Sequence, residues 1–159
     1  MQSKSIVLVS NNYWTLFKFR HEIIKHLVTK GFQVHLIAEI DGYQNHFSQD
    51  GAIVCHDVNF SGRSINLFNE FRTFYNLKKL LKIIKPSYLF SYTIKPNIYS
   101  GYLCRNLNIN HIPMVTGFGY FFNVLNKPLR KTIHYIIKKA FLDTKEVWFT
   151  NVSDERYYI

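Results

Sequence analysis

Three short polar segments carry the side chains best suited to hold or transfer a charged group: Ser10-Asn11-Asn12, Tyr92-Thr93-Ile94-Lys95-Pro96-Asn97 and Thr116-Gly117-Phe118-Gly119-Tyr120. Each ends or follows an apolar run of strand type. In an open parallel sheet such turns stand at the carboxyl ends of the strands, where ligands bind in a crevice. Thr93, Lys95 and the free N–H groups before Asn97 sit at a helix start, where the dipole and unpaired donors suit a phosphate or diphosphate. The same residues also read as local structure, with Thr93 a cap, Pro96 in the first turn and Lys95 solvated. Gly117 and Gly119 allow either a close-approaching ligand or a tight turn.

Other chemistries find little support. The turn after the first strand holds no glycine, so it lacks the GxGxxG backbone that approaches a pyrophosphate; Glu39 and Asp41, placed where an acid would grip a ribose, read as exposed loop acids. No GxxxxGK[ST] loop and no GxSxG elbow occur. His21, His26, His35, His46, His56, His111 and His134 show no metal-binding spacing, so no metal site is expected. No residue is singled out as catalytic.

The elements that position these turns alternate regularly. Strands are expected at Ile6–Val9, Phe32–Ala38, Ala52–His56, Ser87–Ser91, Ile112–Thr116 and Glu146–Thr150. Helical spacing runs from Leu16 to Lys30, with Gly31 as its stop. A second helix runs from Leu67 to Lys85, with Phe71, Phe74, Tyr75, Leu77, Leu81 and Ile84 on its apolar side and Pro86 ending it. A third spans Pro96 to Leu107. This alternation predicts an α/β, Rossmann-like, doubly wound parallel sheet flanked by helices on both faces. One domain is expected over 1–151, and Val152 to Ile159 starts a following helix or linker.

Twenty Lys and Arg against ten Asp and Glu give a net charge of +10, which favours anionic partners. Leu129, Ile133, Ile136, Ile137 and Ala140 form one stripe of a further helix, with Lys127, Lys131, His134 and Lys138 on another side. Together with Phe121, Phe122 and Arg130 this suits an anionic membrane surface. No nucleic-acid module is recognised, so nucleic acid is not an expected partner. Cys55 and Cys104 read as buried free thiols of a reducing compartment. No run is long enough for a signal peptide or a membrane span, which predicts a cytoplasmic location.

Ile6 to Asn12, Phe19-Arg20, Lys30 to Val34, the YTIKPNIY segment at 92–99 and Val115 to Tyr120 together resemble the N-terminal domain of glycosyltransferase family 4. The likeness is to bacterial enzymes of capsule, O-antigen or glycan assembly. It implies one half of a GT-B fold, in which this half holds the acceptor and a C-terminal domain, not present here, binds the nucleotide-sugar. It further implies a retaining, metal-independent transfer to a lipid-linked glycan, no cofactor, and peripheral attachment to the inner face of the cell membrane. Under this resemblance Asn11, Asn12, Thr93, Lys95, Asn97, Thr116, Gly117, Gly119 and Tyr120 line the acceptor side. Relatives often place a histidine after the fifth strand, where this chain has Gly117. Their donor-side ExxxxxxxE pattern belongs to the other domain. The partner would be that domain or a separate donor-binding subunit, to which this chain could also serve as a non-enzymatic membrane adaptor.

Overall fold

Parallel pairing organises the computed structural model, which describes residues 4–48, 50–60, 67–117 and 126–158. Six strands, β1 (Ser5–Asn12), β2 (Gln33–Glu39), β3 (Ile53–Asp57), β4 (Tyr88–Tyr92), β5 (Asn110–Val115) and β6 (Trp148–Phe149), form one sheet. Their order is β3-β2-β1-β4-β5-β6, every neighbouring pair parallel. The order reverses between β1 and β4, which makes that pair the switch point of the sheet. The helices are α1 (Tyr13–Thr29), α2 (Leu67–Ile84), α3 (Ile94–Leu107), α4 (Lys127–Ala140) and α5 (Val152–Tyr158), with a short 3-10 turn at Tyr43–His46.

β1 is buried continuously from Ile6 to Ser10, as a strand covered on both faces must be. On one face Ile6, Leu8, Val34 and Leu36 pack against Tyr13, Leu16 and Ile24 of α1. On the other, Val7, Val9, Ile37 and Leu89 meet Leu77 and Leu81 of α2 and Leu103 and Cys104 of α3. A third cluster, Val115, Ile137, Ala140 and Phe141, seats α4 beside α3. Gly101 brings those two helices together: a Cβ there would stand 2.3 Å from the Ala140 carbonyl oxygen.

The expected fold class holds, with differences of detail. α1 begins three residues before Leu16, because the Asn12 side chain caps it by accepting from the Thr15 N–H at 3.0 Å. Gly31, at φ 81°, closes the helix as expected, its N–H bonded to the Val28 carbonyl. Phe71 and Tyr75 are 70% and 58% exposed instead of facing the core, since at 100° per residue they lie off the stripe of Phe74, Leu77, Leu81 and Ile84. Leu129 likewise stays exposed on α4. β6 has only two residues. Cys104 is buried, and burial pushes its thiol up to about 12. Cys55 is only half-buried, because β3 is an edge strand.

Candidate functional site

The carboxyl ends of β1 and β4 flank the switch point, and the polar turns meet there. Asn11, the penultimate residue of β1, has its side-chain oxygen buried and without a hydrogen-bond partner. Asn12 has its own oxygen committed to capping α1, bonded to both the N–H and the hydroxyl of Thr15. Asp41 completes that cap: one carboxylate oxygen accepts from the Trp14 N–H at 2.8 Å and the other from the Tyr43 N–H at 3.0 Å. This acid is therefore not an idle loop residue. It fills with the chain's own charge the helix terminus that a bound pyrophosphate would occupy.

Thr93 follows β4 at φ 69° and ψ 164°, a conformation that a β-branched residue rarely adopts. It occupies the N-cap position of α3 without capping; its hydroxyl instead donates to the Tyr92 carbonyl. Lys95 is neither solvated nor awaiting an anion. Its ammonium lies 2.6 Å from a Glu70 carboxylate oxygen on α2, and the Tyr99 hydroxyl donates to the other oxygen. Burial and that carboxylate both push the Tyr99 phenol up.

Asn97 points inward and is 1% exposed. Its oxygen accepts from the Ser91 hydroxyl at 2.6 Å and its amide donates to the Met114 carbonyl at 3.0 Å, which ties α3 to β4 and β5. Since Ser91 donates its one proton to Asn97, it accepts from His111 Nε2, 2.7 Å away. A serine beside a histidine suggests a nucleophile and its base, but both are buried and the proton runs the wrong way. Burial pushes His111 down to about 3, so it stays neutral.

Thr116 and Gly117 are exposed at the end of β5, Gly117 at φ 99°. The Gly117 N–H already donates to the buried Asp154 carboxylate on α5 at 2.7 Å. Gly119, Tyr120, Phe121 and Phe122 lie outside the described residues. Lys127, Lys131 and Lys138 are exposed on α4, and Arg130 is half-buried. His35 and His56, paired across β2 and β3 at 2.9 Å, are both held below the ordinary histidine range by burial. Among the described residues no group of three or more His, Cys, Asp or Glu could hold a metal ion.

Glu70, Asp154, Ser91 and His111 join the site although the local sequence around them does not mark them as site residues. Asn151 and Asp154 carried a usable signal, since Asn at three residues before Asp is a capping spacing, and Asn151 does accept from the Asp154 N–H at 2.8 Å.

The glycosyl transferase 4-like family profile matches residues 5–151 of this sequence. The chain belongs to the glycosyl transferase 4-like family. MurG of Acinetobacter baumannii is similar in structure, with a TM-score of 0.60 over 95% of this chain and 42% of MurG at 14% identity. Sucrose-phosphate synthase from Thermosynechococcus elongatus gives 0.68 over 97% of this chain and 44% of that one at 10% identity. UDP-GlcNAc 2-epimerase from Methanocaldococcus jannaschii gives 0.60 over 98% and 41% at 12% identity. This glycosyl transferase 4-like chain thus spans less than half the length of each. No curated protein matches the sequence. The structural likeness is to one half of a GT-B fold, and because one of the three is an epimerase by name, the fold does not select the reaction. The family match is to a glycosyl transferase 4-like domain. No helix among the described residues is long and apolar enough to cross a membrane.

Proposed function

We propose that this chain is the acceptor-side half of a retaining glycosyltransferase that moves a sugar from a nucleotide-sugar onto a lipid-linked or polysaccharide acceptor in bacterial surface-glycan synthesis. The observation that carries the reading is the convergence of polar turns at the switch point of a glycosyl transferase 4-like sheet. The Asn11 amide, the Thr93 turn and the Thr116-Gly117 turn line the rim where an acceptor hydroxyl would be oriented. The donor would be held by a further domain or a separate subunit facing that rim. Catalysis then consists largely of orientation and of electrostatic stabilisation of the leaving nucleotide, with no metal required.

Two surfaces support attachment to an anionic membrane at the cytoplasmic face. Lys127, Arg130, Lys131 and Lys138 gather on α4, and the outer side of α2 alternates exposed Leu67, Phe71, Tyr75 and Ile83 with Arg72, Lys79 and Lys82. Each basic residue near such a surface contributes about 1 kcal/mol at modest salt.

The test uses the native polypeptide, with whatever copurifies, incubated with anionic liposomes, lipid extract from its source cells and a panel of labelled nucleotide-sugars. Transfer of label into the glycolipid fraction, with the donor's anomeric configuration kept, is the expected result. No transfer from any donor overturns the reading. Transfer that requires a second polypeptide, with this chain supplying only membrane attachment, makes it a recruiting subunit instead.

A further inference from the structure

Arg20 of α1 lies over the Tyr92–Met114 pair, the last rung of the β4–β5 ladder and so the carboxyl edge beside the switch point. Its guanidinium carbon is 4.6 Å from the centre of the Tyr92 ring. Nη2 reaches only the thioether of Met114, at 3.0 Å, and Nη1 donates to the Phe19 carbonyl at 3.0 Å. Nε is buried and has no partner. Among the described residues no carboxylate lies within ion-pair distance of this side chain.

That arrangement is under-satisfied. A guanidinium is permanently charged and presents five donors in a planar fork, whereas a thioether is a weak acceptor and a half-buried cation without a counter-ion is costly. The other anion-binding groups at this edge are already occupied. Lys95 holds Glu70, the first turn of α1 is capped by Asn12 and Asp41, and the Gly117 N–H holds Asp154. Among the described residues at this edge, the cation left without an anion is Arg20.

We infer that Arg20 is an oxyanion-binding residue of the cleft, poised on Tyr92 and Met114 to take the phosphate oxygens of a diphosphate group through its planar fork. Exchanging a thioether for charge-assisted bonds to phosphate is the driving force. Naming a diphosphate rests on the glycosyltransferase reading, under which both a lipid-linked acceptor and a nucleotide-sugar carry one.

The test is calorimetric titration of inorganic pyrophosphate into the wild-type chain and into Arg20→Gln, Arg20→Lys and the surface control Lys30→Gln, each checked for folding by circular dichroism. Arg20→Gln is expected to weaken binding about tenfold or more, and Arg20→Lys, which keeps the charge and loses the fork, severalfold, while Lys30→Gln matches wild type. Should the Gln variant fail to fold, the Lys variant decides. Wild-type affinity in either folded Arg20 variant overturns the inference, as does an absence of pyrophosphate binding by the wild-type chain. Farnesyl diphosphate and uridine diphosphate then distinguish the sources: the one whose affinity falls with Arg20→Lys is the group bound, and loss for neither overturns the proposal. The readout is binding and not transfer, so its failure is separate from failure of the proposed activity.

Discussion

Lys95 on α3 and Glu70 on α2 meet at 2.6 Å, with side chains only 28% and 21% exposed. A lysine that the sequence offers to an external anion is thereby held by an internal one, and the pair braces α2 against α3 beneath the candidate cleft. Partial shelter places its value between that of an exposed pair and a buried one, about 1 to 2 kcal/mol. A double-mutant cycle with Glu70→Gln and Lys95→Met, followed by urea unfolding, should give a coupling energy of that size. Coupling near zero would show that the pair is open to solvent and that Lys95 is free to bind ligand.

The contact of Gly101 with Ala140 makes a sharper prediction. An added Cβ would meet the Ala140 oxygen at 2.3 Å and its carbonyl carbon at 2.9 Å, and backbone cannot rotate away as a side chain can. Gly101→Ala should therefore force α3 and α4 apart and cost about 2 to 3 kcal/mol, although alanine is otherwise the better helix former. Ala140→Gly should not rescue it, because the clash is with the carbonyl. Urea midpoints of the two single variants and the double variant decide the matter; rescue by Ala140→Gly would mean that the two methyl groups were the obstruction.

Much of this architecture was legible in local pattern, and the reasons are physical. Ile6 to Val9 announced a doubly covered strand because all of its side chains are buried, and Gly31 marked the end of α1 because a left-handed residue is needed there. Placement on a helix was less secure: Phe71 and Tyr75 are aromatic, yet they lie off the core stripe. At the candidate site the turns were visible as polar breaks after strands. What their side chains do was not, because the partners are remote in sequence. Glu70 lies 25 residues from Lys95, and Asp154 lies 37 from Gly117. Arg20 was visible within its helix, but the missing counter-ion appears only once Met114 and Tyr92 are packed beneath it.

His111 makes stability depend on pH. In the unfolded chain its imidazole titrates near 6.5, whereas burial lowers it to about 3 in the fold. Between those values the unfolded state binds a proton that the native state refuses, so stability is lost as pH falls, by at most about 1.4 kcal/mol per pH unit from this group. His35 and His56, also lowered by burial, act in the same direction. His111→Gln keeps an amide donor for Ser91 and removes the titration. Urea unfolding at pH 7 and pH 5 should show a drop in wild type that is smaller by about 1 kcal/mol or more in the variant. Equal drops would mean that His111 takes up its proton in the folded state.

Thr93 holds a positive φ of 69° although its branched Cβ disfavours it. The turn persists because both sides of it are anchored: Tyr92 belongs to the β4 ladder, and Asn97, whose N–H bonds back to the Thr93 carbonyl at 3.1 Å, is locked to Ser91 and Met114. Strain of this kind costs about 1 to 3 kcal/mol and concentrates where a fixed backbone serves binding. Comparing Thr93→Ala with Thr93→Gly separates strain from loss of the hydroxyl, since both remove its bond to the Tyr92 carbonyl and only glycine relieves the backbone. The glycine variant should be the more stable of the two by about 1 kcal/mol, despite glycine's greater freedom in the unfolded chain. If the alanine variant proves as stable as the glycine one in urea, the positive φ is not held in solution and the Thr93 turn loses its place as a rigid wall of the cleft.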